Sequence, residues 1–289
     1  MSELLIGLNV SPSAAPGTDP VADARTAEGL GYDFVSVNDH LHGTTPRHET
    51  WTLLTWIAAA TSRIRVATRV LAVPYRNPAV LAKMAETLQR LSAGRLILGL
   101  GGGYADEEFR AFGMDAPTPR DKVDGMEEAI RIARGLWSEH GFSFRGRRYR
   151  TEGADVEPKP DHPIPIWLGT YGDRALAVTG RLADGWIPTF ESAPPERIPA
   201  MRDRILTAAR EAGRDPAEIT CVYNLDIRVD DRPVDDPAVV AGSADQVTER
   251  LLGFQRLGFT AMNFCPAGPD PAEQAERLAR EVVPSIRAS

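Results

Sequence analysis

The residues able to do chemistry lie in the segments that join apolar runs. In NDHLHGTTPRHE, residues Asn38, Asp39, His40, His42 and His48 follow directly on a β-branched stretch. An aspartate beside a histidine can orient an imidazole for proton transfer or hydrogen-bond a cofactor ring. The same pair also reads as a helix-capping Asp next to a partly exposed His. The histidines of this loop lack carboxylates at helix or strand spacing to complete a rigid shell, so no metal site is expected. Arg69 interrupts an apolar run and needs a partner or a ligand. Tyr75 and Arg76 fit a stacking rim and a solvated turn equally. Gly101, Gly102 and Gly103, followed by Tyr104 and then by carboxylates, have no Cβ, so they let a planar ligand or an anion approach, or simply make a tight turn. GTYGDR, from Gly169, opens a helix whose first N–H groups suit a phosphate, unless Asp173 caps that helix itself.

These loops need strands and helices to hold them. From Thr61 to Tyr104 the chain reads strand, loop, helix, strand, glycine loop. IRVATRVLAV is β-branched, and Pro74 and Pro78 stop it. Leu81, Met84, Ala85, Leu88 and Leu91 share one helical face, and Gly94 follows as a left-handed cap. RLILGLG then has the near-continuous apolar character of a parallel strand covered on both faces. The alternation recurs along the chain. Strands LLIGLNV, YDFVSV, Arg63 to Leu71, Arg95 to Leu100, IPIWLG, GWIPTF, ITCVYNLDIRV and AMNFCP alternate with helices starting near Asp19, Trp51, Pro78, Asp121, Asp173, Ile198, Asp245 and Pro271. FSFRGRRYR predicts a β-hairpin turning at Gly146, and Pro158, Pro160, Pro163 and Pro165 mark an irregular loop. Eight such pairs in 289 residues predict an α/β fold, a (β/α)8 TIM barrel with an insertion around residues 141–165, rather than an open doubly wound sheet. Residues 1–289 are expected to form one domain. In that architecture the active site lies at the C-terminal strand ends, where the loops above fall.

A formal charge of -7 and a pI near 5.4 argue against nucleic acid as a partner, because phosphate-backbone affinity comes from clustered Lys and Arg. MSELLIGLNV has no basic leader, and no run approaches the roughly 20 apolar residues of a membrane span. A cytoplasmic protein acting on a small-molecule substrate is the expectation. Cys221 and Cys265 fall in strands and read as small core residues. The glycine loop is superficially similar to a dinucleotide fingerprint, but Tyr104 stands where its third glycine belongs.

GLGYDFVSVNDHL, the segment from Thr61 to Tyr104, and IPIWLGTYGDRALAVTGRLADGWIP resemble, in order and spacing, the bacterial luciferase-like flavin monooxygenase superfamily. Within it, the DH after strand two and the form of strand three are most similar to the deazaflavin-dependent oxidoreductases that use coenzyme F420. The resemblance spans nearly the whole chain. It implies a hydride transfer between F420 and a small organic substrate, with an FMN-dependent monooxygenase using O2 as the alternative and a non-catalytic flavin-binding barrel as the second. It implies Asp39 and His40 near the ring or substrate face; the mechanism expected on that basis has His40 exchanging a proton or anchoring the substrate, Asp39 setting its orientation, and Tyr104 lending a hydroxyl. It places a cis peptide between Arg69 and Val70 behind the ring, Gly102 and Gly103 against the ring or ribityl chain, and Gly169, Thr170, Tyr171 and Gly172 at the phosphate. RGRRYR, residues 145–150, is a candidate path for the anionic tail beside a solvated-hairpin reading. A homodimer is implied as well. Tyr104 departs from the glutamate of the sugar-phosphate dehydrogenases, and the aromatic residue after their DH is missing, which disfavours glucose-phosphate oxidation.

Overall fold

The computed structural model of the chain describes residues 4–232, 234 and 236–288. The first three residues of the N-terminal segment therefore lie outside the described residues. Strands β1 (Leu5–Asn9), β2 (Phe34–Val37), β3 (Arg65–Thr68, resuming at Leu71–Ala72), β4 (Leu96–Gly101), β5 (Ile166–Leu168), β6 (Gly185–Trp186), β7 (Thr220–Val229) and β8 (Ala261–Pro266) pair in parallel in sequence order. Closure comes from both ends: β1 bonds β8, with Gly7 opposite Asn263, and β6 bonds β7, with Gly185 opposite Thr220. The result is the (β/α)8 barrel that the alternation predicts. A further short strand, Val239–Gly242, extends β7 beyond the closed sheet.

The helices ring the barrel: α1 (Pro20–Gly29), α2 (Thr50–Ala60), α3 (Pro78–Leu91), α4 (Pro119–Ser138), α5 (Asp173–Leu182), α6 (Ile198–Glu211), α7 (Ala244–Arg256) and α8, which runs from Pro271–Arg277 through a π-helical turn into Val283–Arg287. Most start on a proline or a capping side chain. Asp19, Asn77 and Thr118 each accept N–H groups from the first turn that follows, and Ser243 forms a reciprocal capping box with Gln246. One helical face differs from expectation. Leu81, Ala85 and Leu88 are buried, but Leu91 is 77% exposed; the 3.6-residue repeat carries that stripe on to the buried Ser92 instead. The strand predicted over GWIPTF is short, since Pro188 has no N–H to continue it, and only Thr189 bridges again to Asn224. The predicted hairpin is present as Phe142–Arg145 against Arg150–Ala154.

The barrel interior changes character along its axis. Phe34, Ala67, Ile97, Trp167, Ile187, Val222 and Ala261 fill the lower layers, with Phe34 edge-on to Trp167 at 5.4 Å. Towards the C-terminal strand ends the filling becomes polar and is fully bonded. The Ser36 hydroxyl donates to Asn263 Oδ1 at 3.0 Å, Asn263 Nδ2 to Asn224 Oδ1 at 2.9 Å, and Asn224 Nδ2 to the carbonyls of Ile187 and Pro188. On the other side of the axis the strands carry glycines. A Cβ on Gly99 would lie 1.9 Å from the Thr68 carbonyl oxygen, and one on Gly101 would lie 2.6 Å from Val70.

Backbone cannot yield as a side-chain tip can. Gly99→Ala is therefore expected to cost about 2 kcal/mol or more, whereas Gly172→Ala, where a Cβ meets nothing within 4 Å, should stay within about 0.5 kcal/mol. Urea unfolding of the two variants checks the contrast, and equal stabilities would show that the β3–β4 contact relaxes freely.

Candidate functional site

The C-terminal strand ends enclose a cavity of about 1100 Å³. Residues from every loop singled out in the sequence line it, including His40, Arg69, Tyr104, Gly169 and Gly172. The structure brings these loops together but assigns several of their side chains differently from the sequence reading.

Asp39 does not orient His40. Its side chain is fully buried, and Oδ2 accepts from the Ala72 N–H at 3.0 Å and from Arg76 Nη1 at 2.8 Å, while Oδ1 accepts from Arg76 Nη2 at 3.1 Å. Arg76 also donates to Glu49, which caps α2 through the N–H groups of Trp51 and Thr52. Burial opposes the charge on Arg76, but the two carboxylates outweigh it and raise its pKa. The aspartate after β2 is therefore the clamp that ties the β2 loop to the β3 loop. Arg76, read as a rim residue or a solvated turn residue, is its partner.

His40 is held by a residue that sequence reasoning missed. Glu108, on the short helix Asp106–Ala111 that follows the glycine loop, places Oε1 at 2.8 Å from His40 Nδ1. Its Oε2 accepts from the Tyr75 hydroxyl at 2.8 Å and from the Leu41 N–H at 3.4 Å. Burial pushes the Glu108 carboxyl up, but the bonds from His40 and Tyr75 bring its pKa below the usual glutamate range. Burial and the same carboxylate push the Tyr75 phenol upward, so it remains a donor. Tyr75 also packs on Phe109 at 4.6 Å between ring centroids. The string ADEEF had signalled carboxylates near the glycines, but not which one turns inward.

Arg69 donates from Nε to Asn9 Oδ1 at 2.9 Å. It thus joins the polar layer of the barrel and leaves its outer guanidinium nitrogens towards the cavity, without a hydrogen bond or ion pair among the described residues. The Arg69–Val70 peptide is cis, as the resemblance implies. Tyr104 lines the cavity rim and is 92% exposed. The glycines that follow β4 serve packing as well as access: a Cβ on Gly102 would lie 2.7 Å from Lys122 Cβ, and one on Gly103, at φ +85°, 2.5 Å from the Phe109 ring.

The loop after β5 behaves differently. Gly172, not Asp173, is the N-cap of α5, and no side chain caps the helix. Its first N–H groups are thus open to an anion. Thr170 is buried and its hydroxyl is spent on Thr179 at 2.7 Å, while Tyr171 pairs with Thr189 at 3.2 Å. Only the backbone at Gly169 to Gly172 therefore faces a ligand freely. The basic hairpin tip is largely neutralised. Arg147 pairs with Asp121 and Asp124, and the Glu128 carboxylate accepts the backbone N–H groups of residues 147–149.

Among the described residues, one group of three metal-capable side chains converges, His140, Asp155 and Glu157, all exposed. Lys159 Nζ already lies 3.4 Å from Glu157. Cys221 is buried and Cys265 half-buried, both as free thiols, and burial pushes both thiols up.

A strand order that closes on itself and an ionisable cluster at its C-terminal mouth are the arrangement of a (β/α)8-barrel enzyme. The chain belongs to the luciferase-like monooxygenase family, whose sequence profile matches residues 7–235. It is similar to an F420-dependent glucose-6-phosphate dehydrogenase of Kineococcus radiotolerans, at 30% identity over 94% of each chain. Among solved structures it is similar to an F420-dependent secondary alcohol dehydrogenase in complex with an F420–acetone adduct (TM-score 0.87, 21% identity, 98% of this chain and 99% of that one). It is also similar to the FMN-bound oxygenating constituent of 3,6-diketocamphane monooxygenase from Pseudomonas putida (TM-score 0.80, 18% identity, 98% and 99% coverage). At these identities the two structures show the fold alone.

Removing Arg76 leaves a buried carboxylate with a single N–H donor. Arg76→Ala is therefore expected to lose about 3 kcal/mol of stability, with Arg76→Lys recovering only part because an ammonium cannot supply the two-pronged contact. Chemical denaturation measures both. A loss below about 1 kcal/mol for the alanine variant would show that Asp39 does not depend on this pair.

Proposed function

We propose that this chain is a coenzyme F420-dependent oxidoreductase that moves a hydride between the deazaflavin and a small organic substrate. The observation that carries the reading is that one cavity holds both a carboxylate-tethered imidazole and an uncapped helix N-terminus. These are the groups needed to exchange a proton and to hold a phosphate. The name and coverage of the Kineococcus relative support the choice of F420.

The residues present fit such a cofactor. Asn38 Oδ1, at the cavity wall, is buried without a hydrogen-bond partner, so a donor on the edge of a bound ring would satisfy it. Gly172 offers open space in front of the α5 N–H groups, and Arg174 and Arg120, which pair with Asp124, stand beside them for the phosphate and the first carboxylates of the tail. When bound, the deazaflavin supplies the carbon that accepts or gives the hydride. The chain's part is position and proton. Val70, Arg69 and Asn38 line the wall where the ring would be held, and His40 Nε2 would take a proton from the substrate or return it in the reducing direction.

The substrate side of the mouth is acidic. Glu191 lines the cavity, and Asp226, whose carboxyl pKa is pushed up by burial, lies near enough to feel the charges of Arg69 and Glu191. Glu191 would repel a phosphate dianion placed beside it, which together with Tyr104 supports a substrate other than a sugar phosphate.

We also infer a homodimer of single-barrel subunits acting in the cytoplasm. No helix among the described residues is long and apolar enough to cross a membrane. On α2 and α3, Trp56, Val80 and Leu91 are 70%, 57% and 77% exposed beside an apolar groove of about 540 Å³, which supports a partner surface there. Light scattering on the full chain should give twice the monomer mass, falling to the monomer mass in Trp56→Asp/Leu91→Asp. A monomeric wild type would end this inference.

The function is tested by fluorescence titration of the purified chain with oxidised F420 and with FMN. Micromolar or tighter binding of F420 alone is expected, and with the substrate that a screen then identifies, His40→Gln should lose about 100-fold or more in turnover. Preference for FMN would move the chain to the monooxygenase branch, and binding without turnover of any substrate would leave a carrier.

A further inference from the structure

His40 carries two ring nitrogens, and their division of labour follows from what surrounds Glu108. A carboxylate is acceptor-only, so the 2.8 Å contact between Glu108 Oε1 and His40 Nδ1 requires the proton to sit on Nδ1. The other carboxylate oxygen is occupied by two donors, the Tyr75 hydroxyl and the Leu41 N–H. Glu108 is itself 6% exposed, and Tyr75 is braced on Phe109. The carboxylate therefore cannot rotate without abandoning a bond. Nε2 is the nitrogen left for the cavity that His40 lines.

We propose that Glu108 is the positioning residue for His40, fixing the tautomer with its proton on Nδ1 and an unprotonated Nε2 presented to the substrate, while Tyr75 and the Leu41 N–H fix the carboxylate. The proposal deepens, and rests on, the reading of His40 as the proton-exchanging group. Nε2 then holds the lone pair that receives a hydroxyl proton, and the imidazolium so formed lies against a negative charge that offsets its own. Return of that proton from Nε2 in the reducing direction restores the same tautomer.

The isosteric variant Glu108→Gln turns the proposal into an inversion. The Leu41 N–H can only donate, so it favours the glutamine carbonyl on that side, where the Tyr75 hydroxyl, able to donate or accept, donates to it as well. Its NH2 group then faces Nδ1 and donates to it, and the imidazole has to carry its proton on Nε2. A role that only ties helix Asp106–Ala111 to the β2 loop would produce no such inversion. The experiment is a long-range ¹H–¹⁵N correlation spectrum of the full chain labelled at histidine, at about pH 8.5, above the ordinary imidazole range. His40 is assigned by its loss in His40→Gln. The expected results are Nδ1–H in the wild type, Nε2–H in Glu108→Gln, and Nδ1–H retained in Tyr75→Phe, where the carboxylate remains. If Glu108→Gln does not fold, Glu108→Ser, too short to reach the ring, should show the two tautomers mixed. Nε2–H in the wild type, or an unchanged Nδ1–H pattern in the glutamine or serine variant, overturns the proposal. Absence of F420 binding by the wild type overturns the cofactor reading alone and leaves the tautomer assignment standing.

Discussion

The side chain of Val70 fills the space that a Cβ would need on Gly101 and presses on the positions where one would stand on Gly99 and Gly169, at 2.6, 3.2 and 3.2 Å. One β-branched side chain thus fixes the ends of β3, β4 and β5 relative to one another, and those ends form one half of the cavity. Thr68 reinforces the same junction by donating to the Gly99 carbonyl at 2.7 Å and accepting its N–H at 2.8 Å. The glycines are small because a neighbouring strand needs their volume, and the flat surface they leave follows from that packing.

The opposite half of the mouth is built from charge. Two buried carboxylates do different work because their partners differ. Asp39 is neutralised by a guanidinium, which takes both of its oxygens and leaves nothing to give. Glu108 is held by neutral donors and an imidazole, so its charge still acts on a group that can change protonation state. A buried carboxylate paired with arginine stabilises one loop geometry, whereas one paired with histidine responds to a proton. The cavity therefore has a rigid wall at Asp39 and a responsive one at Glu108.

The fold was legible because it rests on repetition. Eight alternating apolar patterns, each a few residues long, survive errors at any single boundary, and the only misplaced face, at Leu91, lies at a helix end where the stripe passes to Ser92. The loops that carry the site were also legible as loops. Their internal wiring was not, because Glu108 lies 68 residues from His40 and Arg76 lies 37 from Asp39. Adjacency in sequence suggested that Asp39 serves His40, yet neighbouring residues at a strand end point to opposite sides. That alternation sends Asp39 into the wall and leaves His40 for the cavity, and it was the available signal against the pairing.

The polar layer beneath the cavity explains how a guanidinium can sit in a barrel at all. Arg69 is fixed through Nε by Asn9, and Asn9 also accepts from Ser36, which continues the chain of bonds to Asn263 and Asn224. Asn263 donates to Asn224 and Asn224 to the Ile187 carbonyl, so the half-buried guanidinium rests on a hydrogen-bonded layer. The outer face of that charge lines the cavity.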